Sequence, residues 1–165
     1  MQDKERVLGV HPTKNGFSWI VFESPNVPLD WGTCSARTRG NSRSMAKFER
    51  ILDRYEPVAV VLETFETREK ARPTRAQLLC QGMSNLAHSR GMDTPVYDRE
   101  LIRMYFARMG ASTKHEIAQA VAQRLEPLRR RLPRKRTTTS EPDPRQSLFD
   151  AASLVLTHYA VIGTE

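Results

Sequence analysis

Cysteine is scarce in this chain. There are two, Cys34 and Cys80, far apart in 165 residues. No C-x-x-C pair and no Cys/His spacing of the zinc-binding kind occurs. A disulfide scaffold and a structural zinc module are thereby excluded, and two reduced thiols point to the cytoplasm. Long apolar runs are missing too. No segment approaches the ~20 apolar residues that span a bilayer. The opening MQDKERVLGV is charged, with an apolar run too short for a secretory signal. A cytoplasmic location is the expectation. No internal repeat is visible.

What is present is a basic, foldable chain. Hydrophobic residues make up 39% and charged residues 27%, enough apolar material for a core. The length fits one compact domain over residues 1–165. The net charge of +7 favours a polyanionic partner, of which nucleic acid is the commonest.

The hydrophobic pattern then orders the elements. RVLGV is a short strand closed by Pro12, and GFSWIVFE is a second strand after the turn HPTKNG. Asn15-Gly16 in that turn signals a hairpin. LDWGTCSAR follows as a third strand beyond the break SPNVP. Met45, Phe48, Ile51 and Leu52 recur at helical spacing up to Pro57. VAVVLE is a continuous apolar run, as in a strand buried on both faces. TFETREKARPTR reads as loop, RAQLLCQGMSNLAHSRG as helix, TPVYD as a short strand and RELIRMYFARMG as helix. STKHEIAQAVAQRLEPL opens on a helix cap at Ser112 or Thr113 with Glu116 nearby. RRRLPRKRTTTSEPDP is expected to be an exposed basic loop, at about residues 127–145. RQSLFDAASLVLTHYAVI closes the chain as an apolar helix. The order βββ-α-β-α-β-α-α-α predicts an α/β fold. Its five-stranded mixed sheet, in the order 3-2-1-4-5 and flanked by helices, is that of the ribonuclease H-like fold.

Three titratable residues stand where chemistry could occur. His11 ends the first strand, Glu63 ends the buried run VAVVLE, and Asp150 lies early in the last helix. An acid at the end of a buried strand is costly unless exposed, paired or metal-bound. Each residue also has a plainer reading. Glu63 can be a solvated strand end, Asp150 a helix N-terminal acid favoured by the macrodipole, and His11 a turn residue. His115 and His158 read as helix-face residues, and Trp19 and Trp31 as core.

Four segments carry a resemblance. LGVHPTKNGFSWIVFE is similar to a strand, G-I-D-P-G and a second strand; LDRYEPVAVVLE to a helix and a strand ending on Glu. MGASTKHEIAQAV is similar to a Gly and a Lys before a helix, and FDAASLVLTHYAV to D-A-A-D-A-L-A-x-A-x-T-H. In that order the chain resembles the RuvC-like Holliday junction resolvases of the ribonuclease H-like superfamily. It is most similar to bacterial RuvC-like proteins that open G-I-D-P-T and close I-F-D-A-L-A-L-A-L-T.

The resemblance implies a divalent-metal-dependent endonuclease acting on branched or structured DNA, with Mg²⁺ (or Mn²⁺) as cofactor. Phosphodiester hydrolysis needs an activated water and charge neutralisation, which two Mg²⁺ ions held by carboxylates supply. It places Glu63 and Asp150 as catalytic metal ligands, His11 as a substitute ligand or general base, and Lys114 on a phosphate. Two departures follow. His11 stands where the family has its opening aspartate, and Ser147 stands for the earlier helix aspartate. An imidazole is a poor Mg²⁺ ligand and suits Mn²⁺ better. Glu141 and Asp143 lie just upstream in SEPDP as substitutes whose geometry is open.

Basic residues flank these positions. Arg68, Lys70, Arg72 and Arg75 follow Glu63, and the run RRRLPRKR includes Arg134, Lys135 and Arg136. Both clusters read either as solvated loops or as phosphate contacts with strongly salt-dependent binding. The alternative to a nuclease is a catalytically impaired RuvC-like DNA-binding module. Either would work on DNA, and the two-fold symmetry of a junction suggests a homodimer.

Overall fold

The computed structural model describes residues 5–36, 40–64, 72–137 and 143–163. Three strands come first: β1 (Val7–Pro12), β2 (Gly16–Ser24) and β3 (Val27–Ser35). Helix α1 (Ser42–Tyr55) leads to β4 (Ala59–Glu63), and α2 (Arg75–Ser89) to the short β5 (Val96–Tyr97). Helices α3 (Arg99–Ala107), α4 (Lys114–Arg124) and α5 (Gln146–Val161) complete the chain.

The strands form one sheet in the order β3-β2-β1-β4-β5. β1–β2 and β2–β3 are antiparallel, while β1–β4 and β4–β5 are parallel. This is the expected meander extended by two crossovers.

Side chains alternate between the sheet faces. Leu8, Val10, Phe17, Trp19, Val21, Val60 and Leu62 face α1 and α2, packing with Phe48, Leu52, Leu79 and Met83. Val7, Ile20, Phe22, Ala59 and Val61 face the other way, toward α3, α4 and α5. His11 shares the parity of Val7 and Gly9, and Glu63 that of Ala59 and Val61. Both therefore belong to the α5 side of the sheet, at neighbouring strand ends. Helix α5 is buried continuously from Leu148 to Tyr159, which its apolar composition requires.

The expected β1–β2 hairpin forms, through a turn longer than two residues, and one sequence expectation changes. Neither Asn15 nor Gly16 adopts the left-handed backbone of a two-residue hairpin turn. Thr13 N–H instead donates to Gly16 C=O (2.9 Å), and a Cβ on Gly16 would lie 1.9 Å from Cys34 O. Glycine is required there by the close approach of β3. The basic segment is not loop throughout. It begins as a 3-10 helix, Glu126–Arg131, with Pro127 in its first turn and Leu128 buried. Arg131 of that helix stacks 5.9 Å over Trp31, which is half-buried, whereas Trp19 is core. No helix among the described residues is long and apolar enough to cross a membrane.

Candidate functional site

His11 and Glu63 are neighbours because β1 and β4 pair in parallel, with Gly9 opposite Val61. Asp150 joins them because α5 crosses β1 at very close range. A Cβ on Gly9 would meet Val155 Cγ2 at 2.5 Å and Ala151 O at 2.6 Å. Only a glycine admits the helix so near, and Asp150 is the residue before Ala151. Glu63 and Asp150 are both buried, at 8% and 5% exposure, so each needs partners.

Those partners are largely cationic. His11 lies between the two acids, with Nδ1 3.3 Å from Glu63 Oε2 and Nε2 3.5 Å from Asp150 Oδ2. The first contact is one of proximity: Nδ1 is buried and has no hydrogen-bond partner among the described residues. Arg99 engages both oxygens of Glu63, Nε to Oε1 at 3.0 Å and Nη2 to Oε2 at 3.3 Å. Lys114 Nζ donates to Asp150 Oδ2 at 3.3 Å, and Gln146 Nε2 donates to Asp150 Oδ1 at 3.0 Å.

Local structure aims these side chains. Asp98 accepts from Leu101 N–H (2.7 Å) and starts α3 at Arg99, just past β5. Thr113 and Glu116 form a capping box that places Lys114 at the first position of α4. Interactions of the Glu116 carboxyl with Thr113, above all the side-chain hydrogen bond, hold it below the usual carboxylate range.

The remaining sequence candidates separate. Ser147 lies next to Asp150's turn, with its Oγ 2.6 Å from Ser18 Oγ on β2. Asp143 is held by the Arg145 guanidinium (Nη2 to Oδ2 2.7 Å) and by Arg134 N–H. Arg145 hydrogen bonding pushes its carboxyl far down. Asp143 is thus committed to its ion pair with Arg145. Glu141, Arg68 and Lys70 lie outside the described residues. Arg75 donates to Thr13 O, at the rim of the site, while Arg72, Arg134, Lys135 and Arg136 are exposed. His158 is buried with Nδ1 2.7 Å from Tyr97 Oη. It takes no part in the cluster.

Arg99 and Gln146 are the site residues that sequence reasoning missed. The signal for Arg99 was available: β5 pairs with β4, so the residue opening the next helix lies beside Glu63.

This set does not fit a pair of Mg²⁺ ions. One imidazole separates the two carboxylates, presenting a different nitrogen to each, so it cannot bridge them as a carboxylate would. Glu63 has both oxygens on Arg99. Two divalent cations beside Arg99 and Lys114 would bring more positive charge than two carboxylates balance. Among the described residues, no group of three or more His, Cys, Asp or Glu is placed to hold a metal. What the arrangement favours is an anion approaching Lys114 and Arg99.

No family model matches the chain, and no curated protein sequence matches it. Solved structures do. Thermus thermophilus RuvC is 22% identical, with a TM-score of 0.69 over 96% of this chain and 97% of its own. T. thermophilus RuvC in complex with a Holliday junction substrate is 21% identical, at TM-score 0.68 over 96% and 97%. The yeast mitochondrial Holliday junction resolvase is 14% identical, at TM-score 0.62 over 97% and 81%. The strand order, the helix placement and this near-complete overlap identify the architecture: the chain has the RuvC-like form of the ribonuclease H-like fold.

Proposed function

We propose that this protein, acting as one domain, binds branched DNA and does not cleave it with Mg²⁺. The observation carrying this reading is His11 seated between Glu63 and Asp150, with Arg99 and Lys114 closing the outer sides. Where a two-metal nuclease needs surplus negative charge, this centre is neutralised from within the chain. Lys114 is half exposed and presents a cation at the mouth, as a phosphate contact requires. Arg72, Arg75, Arg134, Lys135 and Arg136 supply further phosphate contacts around it. The net charge of +7 supports a polyanionic ligand. The T. thermophilus fold neighbour was solved on a Holliday junction, which makes a four-way junction the first ligand to try. Two copies per junction follow from its two-fold symmetry.

One observation favours a second reading. The buried Nδ1 of His11 lacks a hydrogen bond and lies 3.3 Å from Glu63 Oε2. Two such atoms suit neighbouring ligands of one imidazole-tolerant ion such as Mn²⁺, if Arg99 is displaced. That reading is a weak Mn²⁺-dependent nuclease.

The test incubates the protein with a four-way junction and with linear duplex, in Mg²⁺ and in Mn²⁺, beside His11→Asp and Glu63→Gln. The expected result is preferential junction binding at moderate salt with no Mg²⁺ cleavage by wild type. Cleavage only in Mn²⁺, lost in Glu63→Gln, would favour the second reading. Wild-type cleavage in Mg²⁺, slowed by His11→Asp, would overturn the proposal, as would failure to bind junction DNA at low salt.

A further inference from the structure

Helix α1 sorts its side chains into three faces. Phe48, Ile51, Leu52 and Tyr55 are buried against the sheet. Glu49 and Asp53 form an acidic face, and both are held by one residue, Arg90, at the end of α2. Its Nη2 lies 2.9 Å from Glu49 Oε1 and its Nη1 2.5 Å from Asp53 Oδ1. The third face is basic: Arg43, Lys47, Arg50 and Arg54. At 3.6 residues per turn these four fall within an arc of about 60° and span ~16 Å of the axis.

Among the described residues no carboxylate lies within ion-pair distance of any of the four. Lys47 and Arg54 rest over the Trp19 and Tyr55 rings, at 5.9 and 5.4 Å, which holds their stems against the body of the protein. Arg43 and Arg50 are exposed. The first turn of α1 has no acid, and Asn41 makes no side-chain cap bond to the helix. The Asn41 amide is spent on Arg75 instead: Oδ1 accepts from Nη1 at 2.8 Å, and Nδ2 donates to the Arg75 carbonyl at 3.1 Å. Arg75 in turn donates to Thr13 O, two residues beyond His11. The basic stripe thus starts at the rim of the candidate site and leads away from it along the outside of α1.

We infer that this face of α1 is a second DNA contact, along which the sugar-phosphate backbone of a duplex arm lies as it leaves the central site. A line of flexible cations without base-reading groups suits sequence-independent phosphate contact. The helix N-terminus adds its partial positive charge at the inner end. The inference rests on the proposed DNA-binding function and extends it. The protein would hold a junction at its centre and along one arm.

The test combines Arg43→Gln, Lys47→Gln and Arg50→Gln, which remove charge and keep polar side chains on that face. Binding of a four-way junction is measured across a salt series, beside a junction whose arms end before they reach α1. Each lost phosphate contact lowers the slope of log K against log salt by about 0.9, so the triple variant should lose about 2 to 3. The short-armed junction should show no such loss. A charge-keeping variant, Arg43→Lys with Lys47→Arg and Arg50→Lys, should retain the wild-type slope. Wild-type binding with an unchanged slope in the Gln triple overturns the α1 contact and leaves the proposed function standing. So does an equal loss on both junctions, or a charge-keeping variant as weak as the Gln triple. Wild type that binds no junction overturns both.

Discussion

Arg99 holds Glu63 through both carboxylate oxygens, at 3.0 and 3.3 Å, from the first residue of α3. This pairing ties β4 to the helix that follows β5. It also occupies the acid that would otherwise be most available to a cation.

Removing the guanidinium should therefore be felt first as instability. Arg99→Gln leaves Glu63 buried without its guanidinium partner. Arg99 is itself about a quarter exposed, so water recovers part of the cost. The expected loss is about 2 kcal/mol, below the range for a fully buried pair. Urea unfolding measures it, and the double variant with Glu63→Gln should recover most of the loss. No recovery would mean that Arg99 stabilises by packing alone.

Gly9 should be intolerant of any side chain. A Cβ there would press on the Ala151 carbonyl as well as on Val155, and backbone cannot step aside as a rotamer can. Gly9→Ala should cost about 1–3 kcal/mol. By pushing α5 off β1 it should also move Asp150 from His11 and weaken junction binding. Wild-type stability in this variant would contradict the close packing of α5 on β1.

His158 should make the fold acid-sensitive. Burial pushes its imidazole below the usual value near 6.5. Burial also raises the Tyr97 phenol, which shares a 2.7 Å hydrogen bond with His158 Nδ1. A lowered folded-state value means that the unfolded chain binds the proton more readily. The stabilising contribution is then present above about pH 6.5 and is lost as pH falls from there toward the folded-state value. Unfolding midpoints at about pH 7.5 and about pH 5.5 should differ more in wild type than in His158→Gln. An equal difference would remove His158 as the cause.

Much of this was legible in the sequence because period and punctuation agreed. The strand order followed from three short strands, a two-sided apolar run at β4 and helices between. His11, Glu63 and Asp150 stood out at element ends, while the shared face of His11 and Glu63 came from the β1–β4 register. The hairpin signal at Asn15-Gly16 marked the right turn, although the glycine there answers to β3 packing rather than to a left-handed backbone. Gln146 was hidden because an amide's partner is set by tertiary geometry, and Arg99 could be found only by following the β4–β5 pairing to the helix that comes after it. The stripe on α1 escaped for a related reason. Its members are three or four residues apart, whereas the basic runs at Arg72–Arg75 and Arg129–Arg136 are visible as local clusters.

The central claim is that the chain's own cations stand where metal ions would have to bind. Thermal unfolding of wild type and His11→Asp, each in EDTA and in millimolar Mg²⁺, tests it directly, because a ligand that binds only the folded state raises Tm. The account predicts the same Tm in both buffers for wild type. It predicts a lower Tm in EDTA for His11→Asp, from three clustered carboxylates, and a rise when Mg²⁺ is added. A Mg²⁺-dependent rise in wild type as large as that in His11→Asp would contradict it.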